Sequence, residues 1–145
     1  LLSKTDREHW DRIEKRLPEL ISCEFASPLH GDLWSGNFLF HQGIAYLIDP
    51  AVSVGDRIMD IAMTRLFGGF DDQFYDAYFS VFPIAQDELE TRVHLYQLYY
   101  LLVHVAIFGS SYVPAVSRIL KRFASVRVHI IKSQKKFTSP LRTCG

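Results

Sequence analysis

The sequence predicts a mainly α fold carrying one small β-hairpin, and three observations support it. Apolar residues recur at helical spacing over most of the chain, as at Trp10, Ile13 and Leu17, or at Phe74, Tyr78 and Phe82. Two short runs rich in branched and aromatic residues, FLF at 38–40 and IAYLID at 44–49, are divided by the turn His41-Gln42-Gly43. The chain has 145 residues and is 48% apolar, the length of one domain with enough apolar content to fill a core.

The elements follow in order. Thr5 or Asp6 is placed to cap a first helix that runs to about Leu17 and is stopped by Pro18. The chain starts without Met and reads as opening within a helix, the mark of a fragment. Residues 22–37 hold no sustained period and contain Pro28, Gly31 and Gly36, so they read as a loop leading into the hairpin. Residues 50–55 read as a second loop. Asp56 is placed to cap a helix to Phe67, ended by Gly68-Gly69. Asp71 or Asp72 starts the next, closed by Pro83. A long helix from about Asp87 to Phe108 is apolar nearly all round and therefore central. Ser110 or Ser111 opens a last helix with Val113, Val116, Ile119, Leu120 and Phe123 on one stripe.

Charge excludes some functions. Sixteen basic and sixteen acidic residues balance, which argues against a nucleic-acid partner held by a cationic surface. Every carboxylate lies in residues 1–90, so acid chemistry belongs there. The most apolar window, Val93 to Phe108, is interrupted by His94, Gln97 and His104 and is shorter than the ~20 residues a bilayer requires, so no membrane partner is expected. Cys23 and Cys144 lie far apart with no metal-ligand spacing, which favours a reducing, cytoplasmic compartment. The basic residues Arg127, Lys132, Lys135, Lys136 and Arg142 read as a solvated tail over 125–145.

Chemistry concentrates in the run His30-Gly31-Asp32-Leu33-Trp34-Ser35-Gly36-Asn37. Asp32 and Asn37 are five apart, and Asp49 follows twelve residues later at the far end of the hairpin. A hairpin that leaves after Asn37 and returns by Asp49 brings its ends together. A carboxylate, an amide oxygen and a second carboxylate then surround one small volume. Phosphoryl transfer uses such a set: one carboxylate orients or deprotonates the acceptor hydroxyl, and Asn and Asp oxygens hold Mg²⁺ on the nucleotide phosphates. Asp-x-x-x-x-Asn followed by an Asp after a hairpin is the spacing of a protein-kinase catalytic loop and its metal-binding Asp. Gly-Asp and Gly-Asn are also common turn formers, so Asp32 taken alone reads more readily as a turn residue; the argument rests on the three together.

His30 is read as a brace for the loop through hydrogen bonds. Trp34 reads equally as a core anchor or as a ring that stacks on a sugar. Asp60, one turn into its helix, either complements the helix dipole or ties down the loop of Asp32. His94 and His104 read as core or edge histidines, and the tyrosines at 96, 99 and 100 as core.

The runs Pro28–Asn37, Leu47–Ala51, Gly55–Phe70 and Leu95–Gly109 resemble the fructosamine kinase (ketosamine 3-kinase) family, one of the aminoglycoside-phosphotransferase-like kinases, over roughly residues 5–124. Asp32, Asn37 and Asp49 are shared with that wider kinase-like group. The runs Leu33–Gly36 and Met63–Phe70 are more particular to fructosamine kinases. The resemblance implies an α+β protein-kinase-like fold, of which residues 1–124 are the C-terminal catalytic lobe. It implies Asp32 as the catalytic base, Asn37 and Asp49 as Mg²⁺ ligands, Trp34 as a wall of the sugar-amine pocket, and Asp60 as the acid supporting the loop. The implied reaction is ATP-dependent phosphorylation of a small-molecule or protein-bound ketosamine at its 3-hydroxyl, giving an unstable product that deglycates.

The chain departs from that pattern where an ATP lobe is expected. No Gly-rich loop and no strand-borne Lys precede residue 30, so an N-terminal kinase lobe is expected in the full-length protein, and this lobe alone should bind ATP poorly. The tail matches nothing expected of the family. Three alternatives stand: another small-molecule kinase with an aminoglycoside, choline or homoserine acceptor; an inactive lobe acting as a binding module; and a metallophosphoesterase. The last needs its Gly-Asp and Gly-Asn motifs on separate loops around two metals, and the five-residue spacing here opposes it.

Overall fold

The computed structural model describes residues 1–21 and 25–125. Cys23 and the tail from residue 126 onward, including Cys144, lie outside the described residues. Among the described residues, six α-helices and two small antiparallel sheets follow in the order α1 (Lys4–Glu14), α2 (Leu17–Leu20), β1 (Ser27–Leu29), β2 (Phe38–His41), β3 (Ile44–Leu47), β4 (Ser53–Gly55), α3 (Ile58–Phe67), α4 (Asp72–Val81), α5 (Gln86–Phe108) and α6 (Val113–Ser125). The mainly helical prediction is met.

Helix α5 is the axis. Its Leu95, Leu98, Leu101 and Val105 pack with Ile13 of α1, Leu20 of α2, and Val116, Ile119, Leu120 and Phe123 of α6. Its Leu89 and Val93 pack with Ile58, Ile61 and Ala62 of α3, and Phe74, Tyr75, Tyr78 and Phe79 of α4 lean on that second group. A helix with a core on two sides has to be apolar nearly all round, as its sequence is. Among the described residues no helix is long and apolar enough to cross a membrane.

Several boundaries differ from the sequence reading. The first helix is capped by Ser3, whose hydroxyl accepts from the Asp6 backbone N–H while Asp6 bonds back to Ser3, so the chain does not open within a helix. Pro18 does not end helical structure; it sits in the first turn of α2, where a missing N–H costs nothing. The last helix is preceded by a 3-10 turn at Ser110–Tyr112.

The larger correction concerns the loops. Residues 27–29 and 53–55 pair as a second sheet, with Ser27 opposite Gly55 and Leu29 opposite Ser53. Three residues cannot display a period, and Pro28 argues against a strand in general, although an edge position tolerates it. This sheet pinches the chain so that residues 30–52 form one excursion. Within it, β2 and β3 form the predicted hairpin, with Phe38 opposite Leu47 and His41 opposite Ile44. The second strand stops at Leu47, short of the predicted Asp49. Leu39, Phe40, Ile44, Tyr46 and Leu47 are all exposed, Phe40 by 70%.

Candidate active site

Helix α3 is where the site is anchored. The Asp56 carboxylate, buried at its start, accepts from the Ile58 backbone N–H at 3.0 Å, from the Tyr96 hydroxyl at 2.8 Å and from the Arg92 guanidinium at 3.2 Å. Arg92, also buried, reaches Glu88 one turn before it on α5. These bonds bind the start of α3 to the central helix. One turn further on, Asp60 accepts from two consecutive backbone N–H groups, His30 at 2.8 Å on one oxygen and Gly31 at 2.9 Å on the other.

From there the contacts run through the predicted residues. His30 uses both ring nitrogens: Nδ1 accepts from the Asp32 backbone N–H at 3.3 Å, and Nε2 faces the Ile48 carbonyl at 2.9 Å. The ring is thereby a strut between Asp32 and the residue before Asp49. The Asn37 side-chain nitrogen donates to the Asp32 backbone carbonyl at 2.8 Å and to the Asp32 carboxylate at 2.9 Å. Both N–H donors of that amide are thereby used, and its oxygen remains as an acceptor.

Asp49 enters through the hairpin. The Ile48 N–H donates to the Asn37 carbonyl at 3.0 Å, so Asp49 is the next residue past the rung that holds Asn37. Its backbone is left-handed, φ 49°, which turns the chain sharply out of β3. Its side chain is exposed. Gly31 fixes the other approach: at φ 80° a Cβ there would lie 2.1 Å from the Ala51 carbonyl oxygen, so only glycine lets the two loops touch. The structure therefore joins Asp32 and Asn37 by a direct bond, and the Ile48–Asn37 rung brings the backbone next to Asp49 against Asn37.

Oxygen donors from Asn and Asp suit a hard divalent cation such as Mg²⁺. Among the described residues no three His, Cys, Asp or Glu side chains gather as a metal site. Trp34 is neither wholly core nor free. It is 39% exposed, and its ring lies over Gly36, where a Cβ would come within 2.4 Å of the indole.

The sequence reading missed two contributors. Arg92 carries its signal as a lone guanidinium within an apolar helix. Tyr96, read as core, bonds Asp56. Tyr100 is buried on α5 as the sequence reading expects, and burial first, then the nearby charge of Asp60, push its hydroxyl above the ordinary tyrosine range. His94 and His104 each bond a carbonyl one turn back, those of Glu90 and Tyr100, as edge histidines do.

Known proteins resemble this chain. The fructosamine kinase family description matches residues 3–125. A probable ketoamine kinase of Lactiplantibacillus plantarum is 48% identical over 126 residues, 85% of this chain and 45% of that protein. The mouse ketosamine-3-kinase is 37% identical over 107 residues, 72% of this chain and 34% of its own length. A crystal structure from Thermobifida fusca, provisionally named a fructosamine-3-kinase, superposes with a TM-score of 0.76 at 35% identity, covering 86% of this chain and 44% of that one. The chain thus spans less than half the length of each of these relatives. This chain belongs to the fructosamine kinase family.

Proposed function

We propose that the chain is the C-terminal catalytic lobe of an ATP-dependent kinase that phosphorylates the 3-hydroxyl of a ketosamine, free or protein-bound. The observation that supports this most directly is the bond between Asn37 and Asp32. It holds the carboxylate in place and leaves the Asn37 oxygen for a cation. Asp32 accepts the proton of the sugar hydroxyl as its oxygen attacks the γ-phosphorus and ADP departs. Asn37 and Asp49 would hold Mg²⁺, which when bound neutralises the phosphate charge. Trp34 forms one wall of the sugar-amine pocket, and Asp60 and His30 keep the loop from drifting. The 3-phosphate product is the form that loses its amine.

The exposed apolar hairpin supports a two-lobe arrangement. The hairpin exposes apolar side chains on both faces, Phe40 and Leu47 on one and Leu39, Ile44 and Tyr46 on the other, an apolar surface that the expected N-terminal kinase lobe covers in part. The relatives are long enough to supply one. A cytoplasmic setting is part of the same reading.

The test uses the complete gene product with ATP, a fructosamine and, in parallel, choline and an aminoglycoside. Turnover of the fructosamine supports the proposal. Turnover of choline or the aminoglycoside instead overturns the acceptor, and no turnover of any overturns the enzyme in favour of a binding module. Asp32→Asn retains an oxygen for Asn37 to donate to, so it should leave nucleotide binding intact while kcat falls at least ~10²-fold. Asp49→Ala should abolish the thermal stabilisation that Mg·ATP confers.

A further inference from the structure

The loop between α3 and α4 makes contacts that the proposed reaction does not use. Gly69 there has φ 99°, and a Cβ built on it would lie 2.2 Å from the Ser35 Cβ and 2.9 Å from the Ser35 Cα. The second of these is main chain, so a side chain at Gly69 cannot be accommodated by a rotamer change; the backbone of one loop must move. Ser35 opens the 3-10 turn Ser35–Asn37, which the Asn37 N–H closes by donating to the Trp34 carbonyl at 2.9 Å. The next residue, Phe70, packs its ring on Phe38 with centroids 4.9 Å apart and on Phe74 of α4 at 4.6 Å. Gly69 therefore touches the residue that starts the turn, and Phe70 touches the residue just after Asn37. Buried Asn37 lies between the two contacts.

We propose that Gly69, with Phe70, positions the turn bearing Asn37 and thereby sets the affinity of the site for its divalent cation. The inference rests on the reading of Asn37 as a ligand. Helix α3 then acts as a strut that holds the loop at both ends: Asp60 in its first turn grips His30 and Gly31, and the loop leaving its last turn grips Ser35. Gly69 touches no reacting atom; it acts through Ser35.

Its neighbour provides the control. Gly68 shares the left-handed backbone, φ 74°, but nothing lies within 4 Å of the Cβ it would carry. Alanine at either position meets backbone strain, whereas only Gly69→Ala also meets Ser35. The experiment measures Mn²⁺ binding to the complete gene product by electron paramagnetic resonance, with a non-hydrolysable ATP analogue present, alongside thermal melting. Supporting groups around metal ligands typically change affinity by ~10–100-fold. Gly69→Ala should weaken Mn²⁺ binding by about that factor, Gly68→Ala should lower the melting temperature without changing Mn²⁺ binding, and Ser35→Gly in the Gly69→Ala background should recover part of the loss. Should Gly69→Ala not fold, Phe70→Leu, which loosens the grip on Phe38, should weaken Mn²⁺ binding several-fold. Equal Mn²⁺ affinity in Gly69→Ala and Gly68→Ala, no recovery with Ser35→Gly, or unchanged binding in Phe70→Leu overturns the inference. Asn37→Ala binding Mn²⁺ as tightly as the wild type would instead overturn the assignment of Asn37 itself.

Discussion

The helical pack and the excursion of residues 30–52 are held by different forces. Around α5, Leu98 and Leu120 are each 1% exposed, and cohesion comes from apolar side chains meeting across helices. In the excursion most side chains from residue 38 onward are exposed, and order comes from polar side chains gripping backbone across long sequence gaps, as Asp60 grips His30 and Gly31. Apolar contact is non-directional and tolerates some slack. A hydrogen bond to a chosen N–H fixes orientation as well as distance. The stable half of the molecule thus serves as a base, and the directional half places oxygen atoms.

The buried Asp56–Arg92 pair fastens the start of α3, the helix whose Asp60 grips the excursion, to α5, and breaking it should rank with the largest effects. Replacing Arg92 with Met leaves the Asp56 carboxylate buried without its cation. One-sided loss of a buried pair costs about 3–5 kcal/mol, here moderated by Tyr96 and the Ile58 N–H. Denaturant unfolding should show a drop of about 3 kcal/mol, with part of it recovered by adding Asp56→Asn. A negligible drop would mean that α3 is held by its apolar face alone.

Leu98→Ala tests the apolar half by itself. A fully buried Leu cut to Ala costs about 2–5 kcal/mol. Stability should fall within that range while the activity of the remaining folded protein is unchanged, because no residue of the excursion leans on Leu98 in the core cluster. Asp60→Ala should do the converse. It frees two backbone donors next to Asp32, each of which costs about 1–3 kcal/mol when buried and less at this half-buried site. Melting should shift modestly while turnover falls far more. If the two variants affected stability and turnover in the same proportion, the division of labour would be wrong.

How far the sequence could be read follows the same division. The apolar stripes of α3, α4, α5 and α6 are periodic signals, and each helix lies within a few residues of where they placed it. Asp32 and Asn37 were legible because a five-residue spacing is local, and the hairpin that returns the chain toward Asp49 shows in its two β-rich runs. The grip of Asp60 on His30 spans 30 residues, and that of Arg92 on Asp56 spans 36. No local pattern encodes such partners: for Asp60 the tie to the loop stood as one of two readings, and for Arg92 nothing local named Asp56. The β1–β4 sheet escaped for a related reason: three residues on each side carry too little pattern, and their pairing exists only once the excursion has closed.

The smallest effect tests whether polar fastening inside the helical pack is merely local. Asp6 accepts from the Ser3 hydroxyl at 2.7 Å and the Ser3 N–H at 3.2 Å, and Ser117 of α6 adds a further hydroxyl. The Ser3 hydroxyl, foremost among these, holds the Asp6 carboxyl below its ordinary range, against the opposing effect of burial. A lowered value in the folded state means that the unfolded chain takes up the proton first. The contribution is therefore complete above the ordinary aspartate range and is lost as pH falls through the lowered value. Ser3→Ala removes both this bond and the cap on the Asp6 N–H, at a cost of about 1 kcal/mol near neutral pH. In acid the cost should shrink without vanishing, because the cap does not depend on the charge of Asp6. Stability curves of wild type and Ser3→Ala measured from pH 7 down to pH 2 should converge but not meet; a constant gap would show that Asp6 takes no part in fastening α1.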